Sequence, residues 1–477
     1  MLLTFVILYL LASIAIGLVA ATRVHNTRDF VLAGRTLPLY VVTATVFATW
    51  FGSETVLGIS STFIKEGLRG IVADPFGSSM CLVLVGLFFA ARLYRMNLLT
   101  IGDYYRVRYN AAAELLVSFA IVVSYLGWLS AQIVVIGLVF TVVTGGAVSM
   151  SAGIVIGAAV VLVYTLWGGM YSVAWTNFVQ MVVILLGLAY IAYVVSGKAG
   201  GVGTVVSHAH AAGKLEFWPK PEARDLLAFI AALVTMMFGS IPQQDVFQRV
   251  NSARTERVAV VGSIAGGVLY FLFAFVPIFL AYSATLIDPK MVGELVEKDH
   301  QSILPTLIMD HTPLLAQIVF FGALLSAVMS TASGTLLAPS VTFTENILKK
   351  LLRTELTDRQ FLWTMRAVVA GFGAAVTVFA LHSESTIYEM VVGAYKVTLV
   401  AAFVPLVFGL YWKRATTQGA LAAILGGFFT WIGLEIAAPD AIVPPQLAGL
   451  VASAAGMLAG SLLPQVYTAR GGGEARV

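Results

Sequence analysis

The sequence predicts an all-α polytopic membrane protein with thirteen transmembrane helices. Three observations lead there. First, 59% of the 477 residues are hydrophobic and only 11% are charged, with a mean hydropathy of +0.92; a soluble domain carries about a quarter charged residues. Second, apolar runs long enough to cross a bilayer recur along the whole chain. Third, lysine and arginine concentrate on alternate connecting segments.

The runs lie at 1–21, 38–62, 73–94, 112–143, 150–167, 171–197, 226–248, 258–287, 314–345, 362–381, 386–411, 417–437 and 446–464. The first lacks the basic start of a signal peptide and is followed by Arg23, Arg28 and Arg35, so it reads as a retained helix with its N-terminus outside. With that orientation 19 of the 28 basic residues fall on inside segments and 8 outside, and Lys396 alone is left in a span. Lys349, Lys350 and Arg353 set topology in this reading. The C-terminal tail, 465–477, is then cytoplasmic, and the membrane is the plasma (inner) membrane. The outside loops 198–225 and 288–313 are short and polar, which leaves no room for a soluble catalytic or signalling domain. A lone Cys81 and six scattered histidines offer no disulfide framework and no zinc spacing. The partners expected are the lipid bilayer, a small solute and an ion, with no nucleic acid. The oligomeric state is open.

Two spans contain breakers. The run at 38–62 holds Gly52 and Gly58 within ATWFGSETVLG, and the run at 226–248 holds Gly239 and Pro242 within FGSIPQQ. Interrupted spans in matching positions of two five-helix halves point to an inverted-repeat transporter. Unwound backbone is tolerated at membrane depth only around a buried polar site. Its freed carbonyls can hold a cation and its half-helix N-termini favour an anionic group. Isolated glycines such as Gly153 and Gly266 read instead as close helix packing. In the run 314–345, Ala327, Ser330 and Thr331 stand at i, i+3 and i+4 on one face. Such uncharged oxygens suit a monovalent cation, although back-bonding of these hydroxyls to the preceding turn is their commoner use.

Four segments together, RDFVLAGRTLP, GGMYSVAWTNFVQ, IPQQDVFQRV and MSTASGTLLAPSVTFTEN, resemble the sodium:solute symporter family over nearly the whole chain. The resemblance implies a LeuT-type fold: a five-plus-five inverted repeat (38–197 and 226–411), one extra N-terminal helix (1–21) and two C-terminal helices (417–464). It implies alternating access that couples Na+ entry to uptake of a small polar organic solute, and no enzyme activity. Carried over by position, the shared sodium site falls on the main-chain carbonyls of Ala48, Phe51 and Ala327 and the hydroxyls of Ser330 and Thr331. Some members bind a second sodium through an aspartate where this chain has Asn177, and a serine where it has Gly334, so one Na+ per cycle is expected.

The first break most resembles the choline-transporting branch, which places Trp50 and Trp128 against the solute. Aromatic faces attract a quaternary ammonium by roughly 2 kcal/mol when desolvated. That branch has an indole where Gln243 stands, so an amino acid or another polar solute is equally open. Ser53, Glu54, Ser240 and Gln244 complete the expected lining. Glu54 and Lys396 lie at membrane depth, where a charge is costly. Glu54 is open to three roles: a cationic solute's partner, a proton carrier in a proton-coupled transporter, or the partner of Lys396. Asp74, Asp103 and Asp245 are expected at helix ends in solvated or capping roles. A transporter-like sensor working with a separate signalling partner is the rival from another class.

Overall fold

A computed structural model describes residues 1–352, 356–383 and 386–465; Arg353 and the tail beyond Gln465 lie outside the described residues. With no water in the hydrocarbon to satisfy backbone groups, these runs can only be helical. The described residues contain no strand; two backbone hydrogen bonds (Leu37 N to Ser252 O, Arg254 N to Leu37 O, both 3.0 Å) form an isolated bridge.

The helices are α1 (Leu2–Ala21), α2 (Leu39–Trp50), α3 (Glu54–Met96), α4 (Ala111–Val143), α5 (Met150–Lys198), α6 (Ala223–Gly239), α7 (Gln244–Ser252), α8 (Glu256–Ile287), α9 (Leu314–Leu352), α10 (Asp358–His382), α11 (Ile387–Tyr411), α12 (Thr417–Ala437) and α13 (Pro445–Leu462). By length and apolarity ten of the described helices can cross a membrane, or eleven with α6 and α7 taken as one span bent by 45°. Thirteen spans follow only if α3 and α5 are each divided at a backbone break. In α5 the break is Gly169 (φ 48°, ψ −136°), and in α3 the helix is lost at Gly67 (φ 69°) and Asp74 (φ −137°, ψ 124°).

The polarity of the packing is that of a membrane protein. Leu8, Leu11, Phe119, Leu186, Leu272 and Ile436 face outward, while Thr49, Ser53, Asp245, Arg249, Ser330 and Thr331 are buried. The helices α5 and α4 pack against α9, and α2 packs against α8. Small residues set the close approaches: a Cβ at Gly153 would lie 2.8 Å from Gly137 Cα, and one at Gly266 would lie 2.5 Å from Val46 Cγ1. Helix starts are capped by Asn110, Thr255, Thr357 and Thr386.

Gly169 allows the chain to turn against the segment before α2, where a Cβ would sit 2.3 Å from Phe30 O. Backbone strain of this kind costs about 1–3 kcal/mol even without the clash. Gly169→Ala is therefore expected to lower the melting temperature of detergent-solubilised protein, and an unchanged melt would show that the turn relaxes freely.

Both expected breaks are present, with one correction. α2 ends at Trp50, and Phe51 leaves the helical region (φ −87°, ψ 74°). The chain resumes helix at Glu54, so Gly58 (φ −64°, ψ −66°) lies inside the continuing helix and interrupts nothing. Gly52 is required by proximity: a Cβ there would lie 2.6 Å from Thr331 Oγ1, 2.7 Å from Glu54 Oε2 and 2.8 Å from Gln132 Oε1. The second break, between Gly239 and Gln244, rests against α11, where Thr398 Oγ1 donates to Gly239 O at 2.6 Å. The isolated bridge joins the residue two before α2 to the residue just after α7, so the two broken spans are tied at one end.

Candidate functional site

The first break lies against the hydroxyl face of α9. Ser330 Oγ donates to Ala48 O at 2.7 Å and is 2.8 Å from Ala327 O. Thr331 Oγ1 lies 3.4 Å from Ala48 O and 3.1 Å from Ala327 O. Four oxygens thus converge, two hydroxyl and two carbonyl, all on fully buried residues. Phe51, where helical geometry is lost, follows Ala48 by three residues. Groups of three or more His, Cys, Asp or Glu able to hold a metal are absent among the described residues, so a cation here would be held by neutral oxygens. Neutral oxygens of this kind suit a hard monovalent ion. Each hydroxyl lies within hydrogen-bonding distance of these carbonyls, and rotation of the two O–H bonds would turn their lone pairs inward.

One turn away lies a cluster of rings and carboxylates. Trp50 meets Trp128 edge to face with centroids 5.8 Å apart and stacks on Tyr395 at 6.1 Å. Trp128 contacts Tyr395 at 5.4 Å and stacks on Tyr125 at 5.8 Å. Each indole N–H ends on an acid: Trp128 Nε1 on Glu54 Oε1 at 3.0 Å, Trp50 Nε1 on Asp245 Oδ2 at 3.2 Å. Glu54 Oε2 also accepts from Gln132 Nε2 at 2.9 Å, while Gln132 Oε1 accepts from Ser53 N at 2.8 Å. Asp245 Oδ1 accepts from Tyr125 OH at 2.5 Å. Four residues downstream, Arg249 is buried and donates through Nη1 to Asp245 O at 3.0 Å. Glu54 is buried and forms no ion pair among the described residues.

The sodium:solute symporter family model matches residues 30–427. The chain belongs to the sodium:solute symporter family. Sodium is therefore its coupling ion, and the chain is a membrane transporter rather than an enzyme. It is 28% identical to the high affinity choline transporter 1 of Homo sapiens, over 89% of this chain and 75% of that one. It is 26% identical to the sodium/proline symporter of Escherichia coli, over 91% and 89%. A Na+-coupled sialic acid symporter, solved in a substrate-bound outward-open state, superposes with a TM-score of 0.81 at 18% identity, covering 97% of this chain and 98% of that one. The fold is thus the LeuT-type fold.

In this symporter the expected residues divide. Ala48, Ala327, Ser330 and Thr331 come together, with Phe51 at the break beside them. Trp50, Trp128, Ser53 and Glu54 also come together. Gln243 is buried and donates to Ser124 Oγ at 3.1 Å and Thr398 Oγ1 at 3.3 Å, on the helices that carry Tyr125 and Tyr395. Two residues are not brought in. Gln244 Oε1 accepts from Ile101 N at 2.8 Å, because as the first residue of α7 it points toward the start of the 101–108 helix. Ser240 Oγ, just past the end of α6, turns back to Met236 Sδ of that helix, 3.6 Å away.

The charges are corrected too. Lys396 pairs with Glu435 of α12 at 2.9 Å, not with Glu54, because it lies on the α11 face toward that helix. Asp103 caps its helix in a capping box with Thr100 as expected. Asp74 and Asp245 stand at helix ends but are buried, 1% and 0% exposed, because neighbouring helices cover those ends. Tyr125, Gln132 and Tyr395 were not foreseen. The first two were readable: Tyr125, Trp128 and Gln132 form an i, i+3, i+7 stripe across an otherwise apolar helix. Nothing in the sequence singled out Tyr395, whose neighbour Lys396 is the more conspicuous residue.

Around Asn177 and Gly334, where the resemblance puts an aspartate and a serine in some members, the polar contacts are to protein. Thr49 Oγ1 accepts from Asn177 Nδ2 at 3.1 Å and from Arg249 Nη2 at 2.8 Å. A Cβ at Gly334 would lie 2.4 Å from that same Nη2. The guanidinium fills the space that a serine at 334 would need.

Proposed function

We propose that this symporter imports a small organic cation, one Na+ per cycle, by alternating access. The observation that carries the solute class is Glu54. It is a buried carboxylate with no cationic partner among the described residues, set against two indoles and two phenols. A desolvated charge left uncompensated costs several kcal/mol, and an ammonium between these rings would supply both an ion pair and cation–π attraction. Arg249, buried four residues after Asp245 and bonded to its main-chain carbonyl, already brings one positive charge near that carboxylate, so the group needs one further positive charge and not two. Relatives named as choline transporters support the class. Gln243 supports an amine with N–H groups as well as a quaternary one, since it adds a hydrogen-bonding group.

The sodium site proposed is Ala48, Phe51, Ala327, Ser330 and Thr331, and the solute site is Trp50, Ser53, Glu54, Trp128 and Gln243 with Tyr125, Gln132 and Tyr395. A single sodium is supported by Arg249, whose fixed positive charge sits against Thr49. We place the repeats at 38–197 and 226–411, the N-terminus outside and the C-terminus in the cytoplasm, on the distribution of basic residues. On that orientation both ends are latched. At the cytoplasmic end buried Glu114 accepts from Asn346 Nδ2 at 2.9 Å and pairs with Lys350, and Asn346 reaches Asp103 at 2.9 Å. At the outer end Arg69 pairs with Glu216 at 2.5 Å and Lys214 Nζ donates to Lys65 O at 2.7 Å. Release of one latch while the other holds is the motion alternating access needs.

The test is a thermal-shift screen of purified protein against amines, amino acids, carboxylates and sugars, each with Na+ and with K+. Stabilisation by amines that requires Na+ is expected. Sodium-dependent stabilisation by a carboxylate or sugar alone would overturn the cation reading.

A further inference from the structure

Asp74 is a second buried carboxylate that neither the sodium site nor the solute site uses. It opens the membrane half of α3 after the loop that begins at Gly67. Its Oδ1 accepts from Ser78 Oγ at 2.8 Å and from Tyr270 OH at 2.5 Å. Its Oδ2 is buried without a partner. The groups that face it are Glu54 from the start of α3, Tyr270 from α8 and Tyr388 from α11. α6 presents Leu233, Met236 and Met237 to this turn, and the basic residue of the loop, Arg69, is turned to Glu216. Among the described residues no cation pairs with Asp74.

Tyr270 carries the contact onward. Its OH lies 2.9 Å from Thr55 Oγ1, and Thr55 Oγ1 lies 3.2 Å from Trp50 O, the last carbonyl of α2. Each hydroxyl has one proton to give, so when the 2.9 Å contact between Tyr270 and Thr55 carries a proton the chain runs in one of two directions. With Asp74 protonated, Asp74 donates to Tyr270, Tyr270 to Thr55, and Thr55 to Trp50 O. With Asp74 ionised, Tyr270 must donate to the carboxylate and Thr55 to Tyr270. Trp50 O then loses its hydroxyl donor, at the break between Ala48 and Phe51 where a cation would be held.

We propose that Asp74 is a proton-binding site linked through Tyr270 and Thr55 to cation binding at the unwound segment, so that Na+ and H+ compete. The carboxylate charge acts in the same sense as the freed carbonyl: both favour Na+ when Asp74 is ionised. Linkage requires the reverse as well, so Na+ binding expels a proton. The proposal rests on the sodium site given above, and the experiment separates the two.

Purified full-length protein in weakly buffered detergent, with a pH-indicator dye, is titrated with NaCl and, as control, KCl. Na+ and not K+ is expected to release protons. The Na+ concentration giving half-maximal thermal stabilisation is expected to fall about fivefold or more between about pH 5.5 and about pH 8. Asp74→Asn removes both effects. Tyr270→Phe keeps the acid but cuts the chain, and narrows the pH dependence of the Na+ requirement to what the carboxylate charge alone contributes; an unchanged pH dependence in this variant overturns the hydroxyl relay even if the asparagine variant fails to fold. Sodium stabilisation that survives Ser330→Ala overturns the sodium site and the linkage with it. Stabilisation that needs Ser330 but is the same at both pH values, or proton release that persists in Asp74→Asn, overturns the linkage alone.

Discussion

Replacing Ser330 and Thr331 together by alanine is expected to raise the sodium concentration needed for half-maximal uptake at least tenfold, by the following order-of-magnitude reasoning. Each hydroxyl lost removes an oxygen from a charged guest, and a hydrogen bond or dipole aimed at a charge is worth roughly 1.5–3 kcal/mol. Since about 1.4 kcal/mol is a factor of ten, one lost ligand already suffices and two exceed it. The helix itself tolerates the change, because alanine has the highest helix propensity. What the structure does lose is the bond from Ser330 Oγ to Ala48 O, an interhelical contact of about 0.6 kcal/mol by the average for such bonds in a membrane protein. The control is Ser333→Ala. That hydroxyl donates to Ser330 O within its own helix at 3.1 Å and faces no carbonyl of α2, so its loss should leave the sodium requirement within about twofold, a small effect on the same scale. Uptake of the amine found to stabilise the protein, followed in proteoliposomes against a sodium gradient, reads both variants. Ordinary sodium dependence in the double variant would remove these residues from the ion site.

The parts of this architecture that were legible in the sequence are those that the bilayer dictates. Apolar runs must be helices, and glycine and proline inside such runs can mark unwound backbone, so breaks at Gly52 and at Gly239 with Pro242 were legible, although Gly58, read the same way, is helical. The pairing of Ala48 with Ser330 could not come from periodicity. Spacing put Ser330 and Thr331 on one face, but back-bonding explains that face equally well, and indeed both hydroxyls also contact Ala327 O one turn back. Family resemblance tipped the balance. Charges were the least legible. A carboxylate at the end of a helix reads as solvated unless one knows which helices cover that end, which is why Asp74 and Asp245 were misjudged. A pairing of Lys396 with Glu54 was one of three open roles because both sit at membrane depth, yet helix rotation sends one to Glu435 and the other toward Trp128. Gln244 failed for a related reason: Gln243 stands in extended backbone just before α7 and Gln244 opens its first turn, and their side chains go to different partners.

Glu54→Gln is expected to reduce uptake of the organic cation about a hundredfold or more at equal sodium, the scale of breaking a buried pair by removing one partner at roughly 3–5 kcal/mol. The substitution changes almost nothing in volume but inverts the local hydrogen bonding. Glu54 offers two acceptors, and both are in use: Trp128 Nε1 at Oε1, Gln132 Nε2 and Ser53 Oγ at Oε2, the last at 3.4 Å. A glutamine amide must turn its NH2 toward one of these donors. If it meets Gln132, that side chain can reverse only by giving up the bond from Ser53 N to Gln132 Oε1, which holds the unwound segment in place. If it meets Trp128, the indole that should lie against the solute loses its anchor. The variant therefore loses the charge that attracts an ammonium and also loosens the wall around it, and the two losses are separable. Sodium binding, read by thermal stabilisation without solute, should persist in Glu54→Gln, because Ala48, Ser330 and Thr331 are untouched. Solute-induced stabilisation should vanish for amines in the same protein. A variant that keeps its amine uptake would mean that Glu54 is neutralised from within, and the solute would then have to be sought among uncharged molecules.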